Sequence, residues 1–462
     1  MIYGDMKQLK KGIEGVLNID GDRVTVLDEE KLKADRIDAL IYTGVFNPDE
    51  AVREAARWLI RRAGASLGIL SQSIQPLYNA MGKKEVSGFT VPAINIRGIT
   101  YHCAQAVFRS ALKDRVGPVI FEIARSEIGY TDQRPAEYTA AITAAAIKTG
   151  YMGPLFLQGD HFQINAKKYA ADPAAEVDAV KALIREAIAG GFYNIDIDAS
   201  TIVDLSKPTI KEQQEGNYSI TAEMTAFIRE LEPEGITISV GGEIGEVGTK
   251  NTTVEEFEIF MENYLDTLRG KGPGLAGISK ISIQTGTTHG GVPLPDGSIA
   301  DVKIDFDTLK DISESARVGF GLSGAVQHGA STLPNEAFHH FPRTGTAEIH
   351  LATGFQNIIY DSTHFPGELK DRIYGHIRTK LAGEKKEKDT EEQFLYKTRK
   401  KGFGPFKKDL WELPPDILNA LCAELEKQFS FLFDRLNVLN TEDIVDRYVK
   451  PVDVPLKKPA SL

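Results

Sequence analysis

The stretches "PLFLQGDH" (154–161), "DPAAEVDAVKALIREAIAGG" (172–191) and "NIDIDAS" (194–200) follow one another along the chain, and their order decides the fold. The outer two are short apolar runs without clean polar alternation, the pattern of strands buried on both faces, as in a parallel sheet. The middle piece reads as a helix. Asp172 can cap it and Pro173 suits the first helical position, while Val177, Val180, Ile184 and Ile188 share one face and Gly190-Gly191 ends it. Strand, crossover helix and strand make the unit from which parallel sheets are built.

The same rhythm extends in both directions, from about residue 90 to about residue 360. The further runs are "VPAINI" (91–96), "GPVIFEIA" (117–124), "ITISVGGEIG" (236–245), "SKISIQTG" (279–286), "VGFGLSGAVQHG" (318–329) and "AEIHLATG" (347–354), which brings the candidate strands to eight. Eight strands with intervening helices predict a (β/α)8 TIM barrel rather than an open doubly wound sheet. An open sheet would more often carry a glycine-rich nucleotide fingerprint after its first strand, and "NIRGITYHC" is not one. The barrel is assigned to residues 90–364, between an N-terminal extension (1–89) and a mostly helical C-terminal extension (365–462). The first extension contains a helical pattern, "PDEAVREAARWLIRRAGASLG" (48–68). The second contains the charged stretch "GEKKEKDTEEQFLYKTRKKGFGPFKK" (383–408), read as a solvated loop or lid. After it, Leu418, Leu421, Cys422, Leu425, Phe429 and Leu432 form one apolar helical stripe, expected to pack on the barrel or on a neighbouring subunit.

Composition narrows the classes. Hydrophobic residues at 42% and charged residues at 26% are ordinary for a globular protein. A net charge of −11 argues against a nucleic-acid or anionic-membrane partner, since either needs clustered Lys and Arg. A phosphorylated ligand would have to be held by a local site. The two cysteines, Cys103 and Cys422, lie far apart in sequence and imply no disulfide scaffold or thiolate cluster. "MIYGDMKQLKKGIEG" lacks a signal-peptide core, and no run of about 18 apolar residues occurs, so a cytoplasmic, soluble protein is expected.

In a barrel of this kind the chemistry sits at the C-terminal ends of the strands. The third run ends in Asp160-His161, the fifth carries Glu243, the sixth leads into His289-Gly290-Gly291, the seventh ends in His328-Gly329-Ala330-Ser331, and the eighth carries His350. Four of the nine histidines therefore fall at these ends. Three histidines from separate strands with a nearby carboxylate are the ligand set of a catalytic zinc with an open position. Imidazole suits zinc and similar first-row ions, whereas an all-oxygen set would suit magnesium. The glycines after His289 and His328 let backbone N–H groups approach a ligand closely. A lone strand histidine is more often a structural hydrogen-bonder, and it is the joint pattern that carries the assignment. His102, His339, His340, His364 and His376 fall outside it and are read as structural or surface residues.

At these residues the chain resembles the class II, metal-dependent ketose-bisphosphate aldolase family. The likeness rests on "VPAINI", "LQGDHF", "NIDIDAS", "SVGGEIGEVG", "TGTTHGG" and "QHGASTLPNEAF", and covers roughly residues 90–360 but neither extension. The resemblance implies His161, His289 and His328 as ligands of Zn2+ or another divalent transition metal. It implies Asp160 as the acid/base at the hydroxyl where the carbon–carbon bond breaks. Gly290, Gly329, Ser331 and Thr353 become the phosphate contacts, and Glu243 becomes a partner of a ligand or an alternative ligand. It also implies a homo-oligomer acting on a ketose or ketose phosphate by reversible aldol cleavage through a metal-stabilised enediolate. No Schiff-base lysine is then required, and none stands out at a strand end.

The departures from the family are local. Gln158 stands where the family often has His, and Gly241 replaces the first glutamate of the strand-five pair. "TKNTTVEEF" stands in place of the acidic loop, and His350-Leu351-Ala352-Thr353 in place of Asn-Ile-Asp-Thr. An aldolase is the leading expectation. The alternative is a sugar or sugar-phosphate C4-epimerase on the same site, with His350 as a second acid/base and the long C-terminal region as a cover. A non-catalytic companion subunit ranks third, because Asp160 and the three histidines are intact.

Overall fold

The computed structural model describes residues 2–245, 250–286, 294 and 304–462. Eight parallel strands close into a barrel: Val91–Asn95 (β1), Ile120–Ala124 (β2), Pro154–Gln163 (β3), Asn194–Asp198 (β4), Ser239–Gly245 (β5), Lys280–Ile283 (β6), Ala325–Gln327 (β7) and Glu348–Leu351 (β8). Each pairs with the next, and β8 pairs with β1 from Glu348↔Val91 to Leu351↔Ile94, which seals the ring. Every residue of β1, β2 and β4 is buried, because the outer face is covered by helices and the inner face by the other strands. Between β3 and β4 runs the helix Pro173–Gly190. Asp172 accepts a hydrogen bond from the Ala175 N–H at one end, and Gly191, at φ 95°, terminates the other.

The seventh run is shorter than its sequence suggests. Val318 to Phe320 complete the helix Phe306–Phe320, and the strand begins only at Ala325. A short apolar run cannot be told from the end of an amphipathic helix by periodicity, and here Gly321 (φ 69°) marks the boundary. The chain before the barrel also holds strands that the sequence did not show. Leu17–Asp20 and Arg23–Val26 form an antiparallel hairpin, and Leu70–Gln72 adds to the start of β3 as a ninth strand.

The stretch 383–408 departs from a solvated loop. From Thr390, which caps the helix Glu391–Thr398 with Gln393, the chain is folded, and Phe394, Leu395 and Phe403 are buried. The six residues of the apolar stripe are buried in the helix Pro415–Arg435, which packs along Thr100–Asp114. Further on, Arg62 pairs with Asp453 at 2.7 Å, and the Trp58 indole donates to the Leu456 carbonyl at 3.1 Å. Buried apolar residues of both flanks and of the barrel form one continuous core. No helix of the described residues is long and apolar enough to cross a membrane.

The inside of the barrel is ionic where such barrels usually stack branched apolar side chains. Glu122 (β2), Gln158 (β3), Asp196 (β4), Lys280 (β6) and Glu348 (β8) are all buried there. The Lys280 ammonium lies 3.0 Å from Asp196, donates to Gln158 at 2.8 Å, and pairs with Glu348. Tyr78 donates its hydroxyl to the same Glu348. Gly241 makes room for this set, since a Cβ there would stand 2.3 Å from Asp196 Oδ1. That accounts for the missing glutamate of the strand-five pair.

Candidate active site

Neighbouring residues of a regular strand face opposite sides. Asp160 and His161 nevertheless line one cavity. β3 slips register against β4 between Gly159 and Phe162, and His161 adopts φ 41°, left-handed for a residue with a Cβ. This bulge turns both side chains to the barrel mouth at a cost in backbone strain of about 1–3 kcal/mol.

His161 Nδ1 lies 2.9 Å from Glu243 and 3.2 Å from Asp198, while its Nε2 lies 3.0 Å from His328 Nδ1. The far nitrogen of His328 lies 2.9 Å from the Ser282 hydroxyl. Two ring nitrogens thus face each other while their opposite nitrogens are held by oxygen partners, the arrangement that orients metal-ligating imidazoles. Asp160, His161 and His328 bring ligand atoms within 4.8 Å of one another. The donor set of imidazoles and carboxylate fits a first-row divalent ion, zinc included. His289 and Gly290 lie outside the described residues.

His350 stands behind this group. Its Nδ1 lies 3.0 Å from Glu122 and 3.2 Å from Asp160, and its Nε2 lies 2.6 Å from Glu348. It therefore links Asp160 to the Lys280–Glu348 pair in the core. Burial disfavours charge on His161 and His350, but their carboxylate neighbours outweigh it and hold both pKa values well above that of a free imidazole. Burial also raises Glu122 to about 7, with His350 opposing, and raises Glu243 to about 7 with the help of Asp198. The mouth of the barrel pulls on positive charge, whether proton or metal ion.

The cavity above these groups is about 240 Å³, and Gly329, Ser331 and Thr353 line it. The Ser331 hydroxyl accepts from the Ala352 N–H at 2.6 Å, which ties the turn after β7 to the end of β8. Arg97 enters from β1 and bonds to Glu127 at 2.7 Å and to Gln356 at 2.9 Å. Lys400 enters from the C-terminal flank and Tyr130 from the end of the helix Arg125–Tyr130 that follows β2. Sequence reading missed Glu122, Asp198, Arg97 and Lys400. For Glu122 and Asp198 a signal existed, a carboxylate inside an otherwise apolar strand, whereas nothing in "RKKG" singles out Lys400.

No curated protein sequence matches the chain. Among solved structures, a fructuronate-tagaturonate epimerase from Cohnella laeviribosi is similar over 92% of this chain and 90% of its own, at 11% identity and a TM-score of 0.57. A probable tagatose 6 phosphate kinase from Sinorhizobium meliloti is similar over 80% and 96%, at 16% identity and 0.52. A fructose-bisphosphate aldolase from Campylobacter jejuni is similar over 81% and 97%, at 18% identity and 0.47. The sequence matches the fructose-bisphosphate aldolase class-II family over residues 77–402, a span that takes in all eight barrel strands and the segment bearing Lys400. By that match, the chain belongs to the class-II fructose-bisphosphate aldolase family.

Proposed function

We propose that this chain is a metal-dependent enzyme that opens and re-forms the C3–C4 bond of a ketose or ketose phosphate and releases the sugar as its C4 epimer. The observation that carries the reading is His350, buried inside the barrel and bonded to both Asp160 and Glu122. A divalent ion such as zinc, held by His161 and His328 with His289 as the expected third ligand, supplies Lewis-acid stabilisation of charge on the ketose oxygens.

The chain's own groups do the rest. Asp160 takes the proton from the C4 hydroxyl as the carbon–carbon bond opens, and returns one as the bond re-forms. His350 faces the same carboxylate and can pass or hold that proton, backed by Glu348 on its other nitrogen. The roof around Lys400 and Tyr130 keeps the aldehyde fragment in place while its carbonyl turns over, as a closed cover does for a reactive intermediate. The fold likeness to an epimerase includes both flanks, and a barrel with this cover suits retention rather than release.

The second reading is an aldolase that lets the aldehyde go, and family membership favours it. One experiment separates the two. Metal-loaded protein is incubated with ketohexoses, their phosphates and keto-uronates, and carbon NMR follows the C4 epimer and free aldehyde. Epimer without aldehyde is expected. Aldehyde as the main product selects the aldolase, and no change in any sugar discards both.

A further inference from the structure

Two arginines stand side by side on the helix Glu50–Ser66, and only one of them meets a carboxylate. Arg62 holds Asp453 at 2.7 and 2.9 Å. Arg61 donates from Nη1 to the Ala189 carbonyl at 3.2 Å, near the end of the helix Pro173–Gly190, and pairs with no carboxylate among the described residues. The partial negative charge of that helix end answers only part of its own. Nη2 is turned elsewhere. A Cβ on Gly191 would stand 2.7 Å from Arg61 Nη2 and 3.0 Å from the Ser71 hydroxyl oxygen, so two donors converge over one glycine.

Arg61, Ser71 and Tyr193 line a small cavity. Burial lowers the Arg61 pKa, with the neighbouring Tyr193 opposing the effect and Arg62 adding to it. The roof of the cavity is the C-terminal segment 452–456. Gln72 holds that segment, donating to the Val452 carbonyl at 2.8 Å and accepting from its N–H at 3.2 Å. Leu70–Gln72 pairs with the first residues of β3, and Tyr193 immediately precedes β4, so the cavity lies at the end of the barrel opposite the mouth.

Two arginines against one carboxylate leave this end of the molecule with a positive charge in excess. A half-buried guanidinium gains charge-assisted hydrogen bonds from any anion that reaches it. The space sets the size. A cavity of about 30 Å³ takes one particle not much larger than a water molecule, and no organic acid.

We infer that Arg61, with the hydroxyls of Ser71 and Tyr193, binds a single chloride-sized inorganic anion beneath the C-terminal segment. The ion then helps to pin that segment to the N-terminal flank. The site is separate from the sugar cavity and stands whichever reaction that cavity performs.

The test uses the full-length protein, the Arg61→Met and Arg61→Lys variants, and Lys427→Met as a control on the helix Pro415–Arg435. Thermal unfolding is followed at fixed ionic strength while gluconate, too large for the cavity, is exchanged for chloride. The wild-type Tm should rise by about 1–3 °C and then saturate, as binding to the folded state alone requires. Lys427→Met should respond as wild type does, Arg61→Lys in part, and Arg61→Met not at all. Crystals of wild type soaked in bromide should show an anomalous peak in contact with Arg61 and Ser71. Equal Tm values in chloride and gluconate, or a chloride response that survives in Arg61→Met, would overturn the assignment. A response to phosphate in place of chloride would overturn the size argument and with it the proposal. Should Arg61→Met fail to fold, the bromide map decides: a peak at Arg61 supports the site, and its absence rejects it.

Discussion

Asp160 and His161 divide the work of one bulge, and substitution should separate their parts. Asp160→Asn should lower kcat by about 10²- to 10⁴-fold while elemental analysis finds the metal content of wild type. His161→Ala or His328→Ala should lose the metal itself. Lys280 offers a different kind of check. Replacing it by Met leaves Asp196 and Glu348 buried without their cation, and urea unfolding should show a loss of about 3–5 kcal/mol even though Lys280 does not line the active-site cavity. The convergence of Asp160, His161, His328 and His350 was legible in the sequence, because strand ends in a barrel are forced to meet. Glu122 and Lys280 were not. Mid-strand charges look like blemishes in an apolar run until the opposite strand is known, and only closure of the ring places Lys280 beside Glu348.

All eight barrel strands could be read because strands buried on both faces are short, mostly apolar runs. The hairpin at 17–26 and the strand Leu70–Gln72 could not, being too short to show a period. Helix docking was half legible. The stripe on Pro415–Arg435 announced a buried face without naming its partner, Thr100–Asp114. That contact carries an acid-sensitive residue. His102 packs at 5.7 Å from the Trp411 ring, its carbonyl accepts from the Cys422 thiol, and its Nδ1 is buried without a hydrogen-bond partner among the described residues. Burial pushes its pKa down to about 4, against about 6.5 in an unfolded chain. The folded state refuses a proton that the unfolded chain takes up, so this contribution is complete above the unfolded value and fades as pH falls toward the folded one. The unfolding free energy from denaturant titrations should drop by about 2 kcal/mol between pH 7 and pH 5 from this residue, and His102→Phe should flatten that part of the profile.

For the molecule as a whole, the decisive contact is between flank and barrel, and it is made at glycine. A Cβ on Gly98 would stand 2.1 Å from the Phe403 ring, and one on Gly404 would stand 2.3 Å from the Tyr130 carbonyl oxygen. Gly98→Ala should lift Phe403 and loosen the roof at a cost of about 1–3 kcal/mol in stability, and free aldehyde should appear among the products by NMR. Neither glycine could be recognised from sequence, since their importance lies in what approaches them from three hundred residues away. The ionic centre of the barrel bears on descent as well as on stability. Glu122, Gln158, Asp196, Lys280 and Glu348 answer one another so closely that a lineage altering one would strand its neighbours. Homologues should therefore inherit the quintet intact or exchange it wholesale for an oily filling, with few viable stepping stones between.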